Sequence, residues 1–166
     1  MTDVLDLPFD QFQRYELVRA LLDDVRSPGE TYDVLDVGGR TALLRRFLTE
    51  DRIQLVDVDP SDADGLVLGS GARLPFADGS FDAVAAFDTL EHVPPALREA
   101  FVAECARVAR RYVILAGPYD SPRVAEAEEL LLDFLRRRLN WEHRYLKEHR
   151  VNGLPDREET TRGFEV

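Results

Sequence analysis

The stretch YDVLDVGGRTALL, residues 32–44, decides the architecture. Residues 32–37 are short, mostly apolar and partly β-branched, as a buried strand requires, and Gly38-Gly39 ends them in a tight turn. Residues 41–48 then read as a helix. A turn without side chains lets the backbone approach a ligand, and a helix N-terminus would offer free N–H groups, so a nucleotide-like ligand is the natural guest. The spacing is not G-x-G-x-x-G, because Arg40, Thr41, Ala42 and Leu43 follow the glycine pair. That argues against a nicotinamide dehydrogenase.

Working outward, the same unit recurs. IQLVDV (53–58) ends at Asp59-Pro60, LVL (66–68) at Gly69, FDAVAAF (81–87) follows the turn Ala77-Asp78-Gly79-Ser80, and YVILA (112–116) is closed by Gly117-Pro118. Helical spacing of Phe12, Tyr15, Val18, Leu21, Leu22 and Val25 predicts a helix over 11–25. Pro94-Pro95 opens another, with the stripe Leu97, Phe101, Cys105 and Val108. Residues 124–139 read as a further amphipathic helix, and 163–166 as the beginning of a strand. Strands alternating with helices predict an α/β fold: a three-layer, Rossmann-like open sheet, mainly parallel, with five recognisable strands. The chain reads as a single domain over 1–166. Within it, 1–30 is an N-terminal helical segment, 31–120 a ligand-binding core, and 121–166 a helix with an acceptor-side or C-terminal segment. Ligands of such sheets lie beyond the carboxyl ends of the strands.

Composition narrows the classes. The 32 acids against 21 Lys plus Arg give a net charge of −11, which opposes a phosphate backbone, so no nucleic-acid partner is expected. Arg136, Arg137 and Arg138, flanked by acids, read as a solvated helix face. No run of about 18 apolar residues is present and the start MTDVLDLPFDQF lacks a basic-then-apolar leader, which predicts a cytoplasmic protein with no membrane partner. The single cysteine, Cys105, reads as core, and no Cys/His cluster has metal-ligand spacing. His143 and His149, six apart, make a poor metal pair on one helix, so no metal is expected.

Asp57 stands at the end of the second strand, about 21 residues after Asp36, where a carboxylate can accept from ribose hydroxyls. At this point VLDVGGRTALL, LVDVDP, LPFADGSFDAV and FDTLEHVPP, in this order and spacing, resemble the class I S-adenosylmethionine (SAM)-dependent methyltransferases. The resemblance covers roughly residues 32–119. It implies a seven-stranded sheet with the last strand antiparallel, hence a domain whose last two strands are missing here and whose fifth strand is an open edge able to form a homodimer. It implies Asp36, Gly38 and Gly39 near the methionine part of SAM, Asp57 on the ribose, Ser70, Gly71 and Ala72 near the adenine, and Val58 among the cofactor-binding residues. Asp88 would stand beside the cofactor's centre.

Two departures stand out against the family's D-x-G-x-G-x-G: Arg40 and Ala42 replace glycines. Arg40 either blocks the methionine pocket or pairs with the cofactor's carboxylate. Ser70 stands where the family often has Asp, leaving a weaker acceptor. Methyl transfer needs alignment more than covalent help. Where a base assists, the candidates are Asp88 and His92, then Glu91, Asp120 and His143. The expected function is SAM-dependent methyl transfer to a small-molecule or carbohydrate-like acceptor entering over the loops after the fourth and fifth strands. The alternative is a non-catalytic domain of the same fold with weak or no SAM binding.

Overall fold

The computed structural model describes residues 4–164. Its strands are β1 (Asp33–Val37), β2 (Arg52–Asp57), β3 (Leu66–Leu68), β4 (Phe81–Phe87) and β5 (Ala109–Ala116). They form one sheet in the order β3-β2-β1-β4-β5, every neighbouring pair parallel. The chain builds outward from β1 to β3 and then returns to lay β4 on β1's other side. That reversal is the topological switch point, and it opens a crevice between the loops leaving β1 and β4. β5 is paired only to β4, and among the described residues no strand follows it. None of the described helices is long and apolar enough to cross a membrane.

Strand alternation divides the core in two. Val34 joins Tyr15, Val18 and Leu22 of α1 (Phe9–Val25) on one face. Leu35 and Val37 join Phe101, Val102, Cys105 and Val108 of α2 (Pro95–Val108) on the other. Cys105 is fully buried and burial pushes its thiol up to about 12, so it serves packing, as its place on the helix stripe predicts.

Three local expectations are corrected. Residues 41–48 do not form an α-helix, only a 3-10 turn at Leu43–Arg46. Ala42 sits in the left-handed region with φ 55, which an α-helix cannot continue from. Leu44, Phe47 and Leu48 are nevertheless buried, so the segment keeps the packing duty of a helix without its hydrogen bonds. The helix expected over 124–139 begins earlier, as α3 (Pro122–Phe134) capped by Ser121, whose Oγ accepts the Val124 N–H at 3.2 Å, and continues as a π turn at Leu135–Leu139. Its Leu130, Leu131 and Phe134 stay exposed, because the described sheet ends at β5 and gives them no surface to cover. Finally, Gly163 and Phe164 follow α5 (Arg157–Arg162) as a turn instead of starting a strand; Glu165 and Val166 lie outside the described residues. Between these lies α4 (Arg144–Asn152).

Ala42 yields a direct test. A left-handed conformation costs a non-glycine residue about 1–2 kcal/mol, and glycine gives back about 0.4–1 kcal/mol through the unfolded chain. Ala42→Gly should therefore stabilise the protein by roughly 0.5–1 kcal/mol, a rise in Tm of about 1–4 °C. A melting curve that moves downward would contradict this reading of the turn.

Candidate functional site

The crevice at the switch point is walled first by the turn after β1. Gly38 has φ 83, and a Cβ there would lie 2.4 Å from Thr89 Oγ1 in the loop after β4. Only glycine lets the two loops close up in this way. At Gly39 a Cβ would lie 2.5 Å from the Asp36 carboxyl carbon. The N–H groups of both glycines donate to Val56 O, at 2.8 and 3.3 Å, stitching the turn to β2. The free N–H groups expected of a helix N-terminus are thus corrected: no α-helix starts here, and both glycine donors are engaged.

Asp57 ends β2 half-buried, its Oδ2 accepting the Arg40 N–H at 3.3 Å and its Oδ1 the Asp59 N–H at 2.9 Å. A carboxylate offers about four acceptor positions, so two remain for a ligand. Arg40 serves this loop through its backbone, for its carbonyl also accepts the Ser61 hydroxyl at 2.7 Å. Val58 is 68% exposed at the mouth of the same cleft. Opposite it, Ser70, Gly71 and Ala72 form a tight turn in which Ser70 Oγ accepts the Ala72 N–H at 3.2 Å. Phe101 lies beneath them. The enclosed space is about 180 Å³.

Beside the cleft, Asp36 is 3% exposed and its Oδ2 has no hydrogen-bond partner. Burial first, then the neighbouring Asp57 charge, raise its carboxyl to about 7. An orphaned buried oxygen of this kind carries a full desolvation penalty, which a bound donor or cation would relieve.

Asp88, at the end of β4, holds φ 44 while its N–H donates to Ala116 O at 2.8 Å. Aspartate tolerates this conformation better than most residues, and such strain is concentrated at functional positions. Its carboxylate is ion-paired with Arg14 of α1. Burial raises the Asp88 pKa, with Arg14 and the nearby histidines pulling the other way. The following turn, Leu90–His92, sends Glu91 inward, 2% exposed and raised to about 8 by burial, while His92 lines the cleft. Burial and His149 lower the His92 pKa, favouring the neutral ring.

The structure therefore brings Gly38, Asp57, Val58, Ser70, Gly71, Ala72 and His92 to one crevice, with Gly39 packed against the Asp36 carboxyl behind the glycine turn and Asp88 just past the end of β4. Asp120 is exposed, and its N–H donates to Pro155 O at 2.9 Å. His143 caps α4, its Nδ1 accepting the Leu146 N–H at 3.4 Å. Sequence reading missed Arg14, which α1 lays across the strand ends, and Tyr15, whose hydroxyl is 3.4 Å from Thr41 Oγ1. It also missed His149, whose ring is centred 5.1 Å from that of His92. The search for metal spacing along the chain could not find this pair, because only tertiary packing joins α4 to the turn after β4.

Comparison with known proteins fits this geometry. The family described as "Methyltransferase domain" matches residues 35–116. A demethylmenaquinone methyltransferase of Beutenbergia cavernae is 39% identical over 120 residues, covering 65% of this chain and 47% of the relative. The chain thus spans about half the length of that curated relative. Among solved structures, the PH0226 protein of Pyrococcus horikoshii superposes with a TM-score of 0.59 at 16% identity, over 99% of this chain and 84% of the other. A TehB-like SAM-dependent methyltransferase of Corynebacterium glutamicum gives 0.51 at 16% identity, over 61% and 60%. At such identities the likeness is one of fold.

Proposed function

We propose that this chain is a class I, Rossmann-like methyltransferase, as the match of residues 35–116 to the methyltransferase-domain family supports, and that it transfers a methyl group from SAM to a small-molecule acceptor. One observation carries the reading: a glycine cradle that a Cβ would fill stands beside a buried carboxylate oxygen with no partner, at the switch point of the sheet. Those two features fit the cofactor. Asp57 would accept from the ribose hydroxyls, with Val58 and Ser70 to Ala72 around the adenine. Asp36 would take the cationic methionine end, over Gly38 and Gly39. The enclosed 180 Å³ is smaller than the roughly 300 Å³ at which ligand pockets usually begin, so it suits the adenosine part, the remainder lying along the glycine turn. Ala42 adopts a φ of 55, a conformation glycine takes freely, so the substitution has not forced the turn into an ordinary right-handed conformation, which favours binding over a non-catalytic domain.

When bound, the cofactor supplies a methyl group on a sulfonium, ready for in-line displacement. The chain's own residues then have to orient and shield. Arg14 fixes the Asp88 carboxylate at the strand end, and α1 covers that side of the crevice. Asp88 and His92 close the end where the acceptor would stand, within reach to align an acceptor hydroxyl or hold its proton. The name of the Beutenbergia relative supports a small organic acceptor over a macromolecule.

Calorimetric titration with S-adenosylhomocysteine tests the proposal. One site per chain is expected, with no heat from NAD. Silence from S-adenosylhomocysteine would overturn the reading.

A further inference from the structure

Three groups at the inner end of the cleft are not accounted for by cofactor binding. Glu91 is 2% exposed with Oε2 unpartnered, and His149 is 8% exposed with Nε2 unpartnered. His92 lies between them and the cleft. One ligand atom from each of Glu91, His92 and His149 falls within 4.8 Å of the others. With His92 Nδ1, three orphaned polar atoms fall in this cluster, and such atoms call for a missing partner.

The surroundings say what kind. His149 Nδ1 lies 2.7 Å from Glu128 Oε1 of α3, which fixes the proton on Nδ1 and turns the lone pair of Nε2 inward. His92 Nδ1 lies 3.1 Å from Glu148 Oε2, near though poorly aligned for a hydrogen bond. A carboxylate behind each imidazole is the usual outer support of a metal-bound histidine, setting its tautomer and raising its basicity. A hydrogen-bonding guest would also satisfy the orphans, but it gives no reason for a carboxylate bonded to one ring and a second carboxylate 3.1 Å behind the other.

We propose that Glu91, His92 and His149 bind one divalent transition-metal ion, with Glu128 and Glu148 orienting the two histidines. Two imidazoles and one carboxylate select zinc-like or manganese-like ions over magnesium or calcium, which prefer all-oxygen sets. Tetrahedral bonds of about 2.0–2.1 Å place ligand atoms about 3.3 Å apart, so side-chain rotations closing the cluster by about 1.5 Å at most suffice. Three protein ligands leave a coordination position open, and His92 lines the cleft, so that position would receive an oxygen of the acceptor. With the ion bound, His92 aligns the acceptor through it, and Asp88 is left to hold the acceptor's proton.

The site stands apart from the cofactor reading, and the experiment keeps the two separate. The chelator-stripped full chain is titrated with Zn²⁺ and, separately, Mn²⁺ in a calorimeter, metal content is measured after desalting, and S-adenosylhomocysteine binding is measured on the same samples. One equivalent of Zn²⁺ or Mn²⁺ per wild-type chain is expected. His149→Gln should abolish it, and Glu128→Gln, which leaves all three ligands in place, should weaken it about 10–100-fold. S-adenosylhomocysteine binding should persist in both variants. No stoichiometric uptake by the wild type, or uptake that both variants leave unchanged, would overturn the site. If His149→Gln does not fold, as judged by circular dichroism, the wild type and Glu128→Gln decide alone. Metal uptake without S-adenosylhomocysteine binding would leave the ion site standing and sink the cofactor reading.

Discussion

Replacing Asp57 by alanine is expected to weaken S-adenosylhomocysteine binding by about two powers of ten or more, with a much smaller effect on the unliganded protein. The carboxylate stands at the carboxyl end of β2, half-buried, with two acceptor positions beyond those used by the Arg40 and Asp59 N–H groups. Hydrogen bonds to a charged acceptor contribute about 1.5–3 kcal/mol each, and two ribose hydroxyls would supply two of them. The cost to the free protein comes from the two backbone N–H groups left behind. Both belong to surface loops that water can reach, so about 1 kcal/mol is the appropriate scale, a fall in Tm of about 2–4 °C. The measurement is the same calorimetric titration beside a melting curve. Unchanged affinity would remove Asp57 from the ribose site.

Asp57 also illustrates what could be seen in the chain itself. The strands were legible because a buried parallel strand is a local pattern, a short apolar run stopped by Gly, Pro or Asp, and each of the five stops at such a residue or one step before it. Once the strand ends were placed, the switch-point rule put Asp36, the glycine pair, Asp57 and Asp88 near one another without any further information. The segment after β1 was not legible, because its apolar spacing is helical while a single φ at Ala42 forbids the helix. No periodicity argument senses one dihedral. Arg14, Glu128 and His149 were hidden for a different reason. Each sits on the polar or mixed face of a helix, where spacing predicts solvent, and meets the site only because tertiary packing brings α1 to Asp88 and α3 to His149 of α4. The burial of Asp36 was equally hidden, since an acid at a strand end ordinarily faces water. Resemblance placed it near the cofactor, but its unpartnered oxygen is a property of packing.

That oxygen underlies the second large effect, a pH dependence carried by Asp36. Its carboxyl is raised to about 7, so near neutrality a substantial fraction is protonated in the free protein. A cationic ligand group binds the ionised form, so S-adenosylhomocysteine affinity should rise as pH increases toward about 7 and level off above it, by at most about tenfold per pH unit, with proton release on binding. Asp36→Asn should flatten this profile and bind more weakly at pH 8. The free protein should respond in the opposite sense. The folded state keeps the Asp36 proton up to about 7 whereas the unfolded chain loses it near 3.8, so this residue's contribution to stability falls as pH rises through that window, by up to roughly 1.4 kcal/mol per pH unit, and is constant beyond it. Asp36→Asn should therefore melt higher than the wild type at pH 8, with the advantage shrinking toward pH 4. The Asp57 charge is the second cause of the raised value, so Asp57→Ala should also move the wild-type binding midpoint downward. Affinities of wild type and Asp36→Asn that run parallel from pH 5.5 to 8 would show that the buried carboxyl does not meet the ligand.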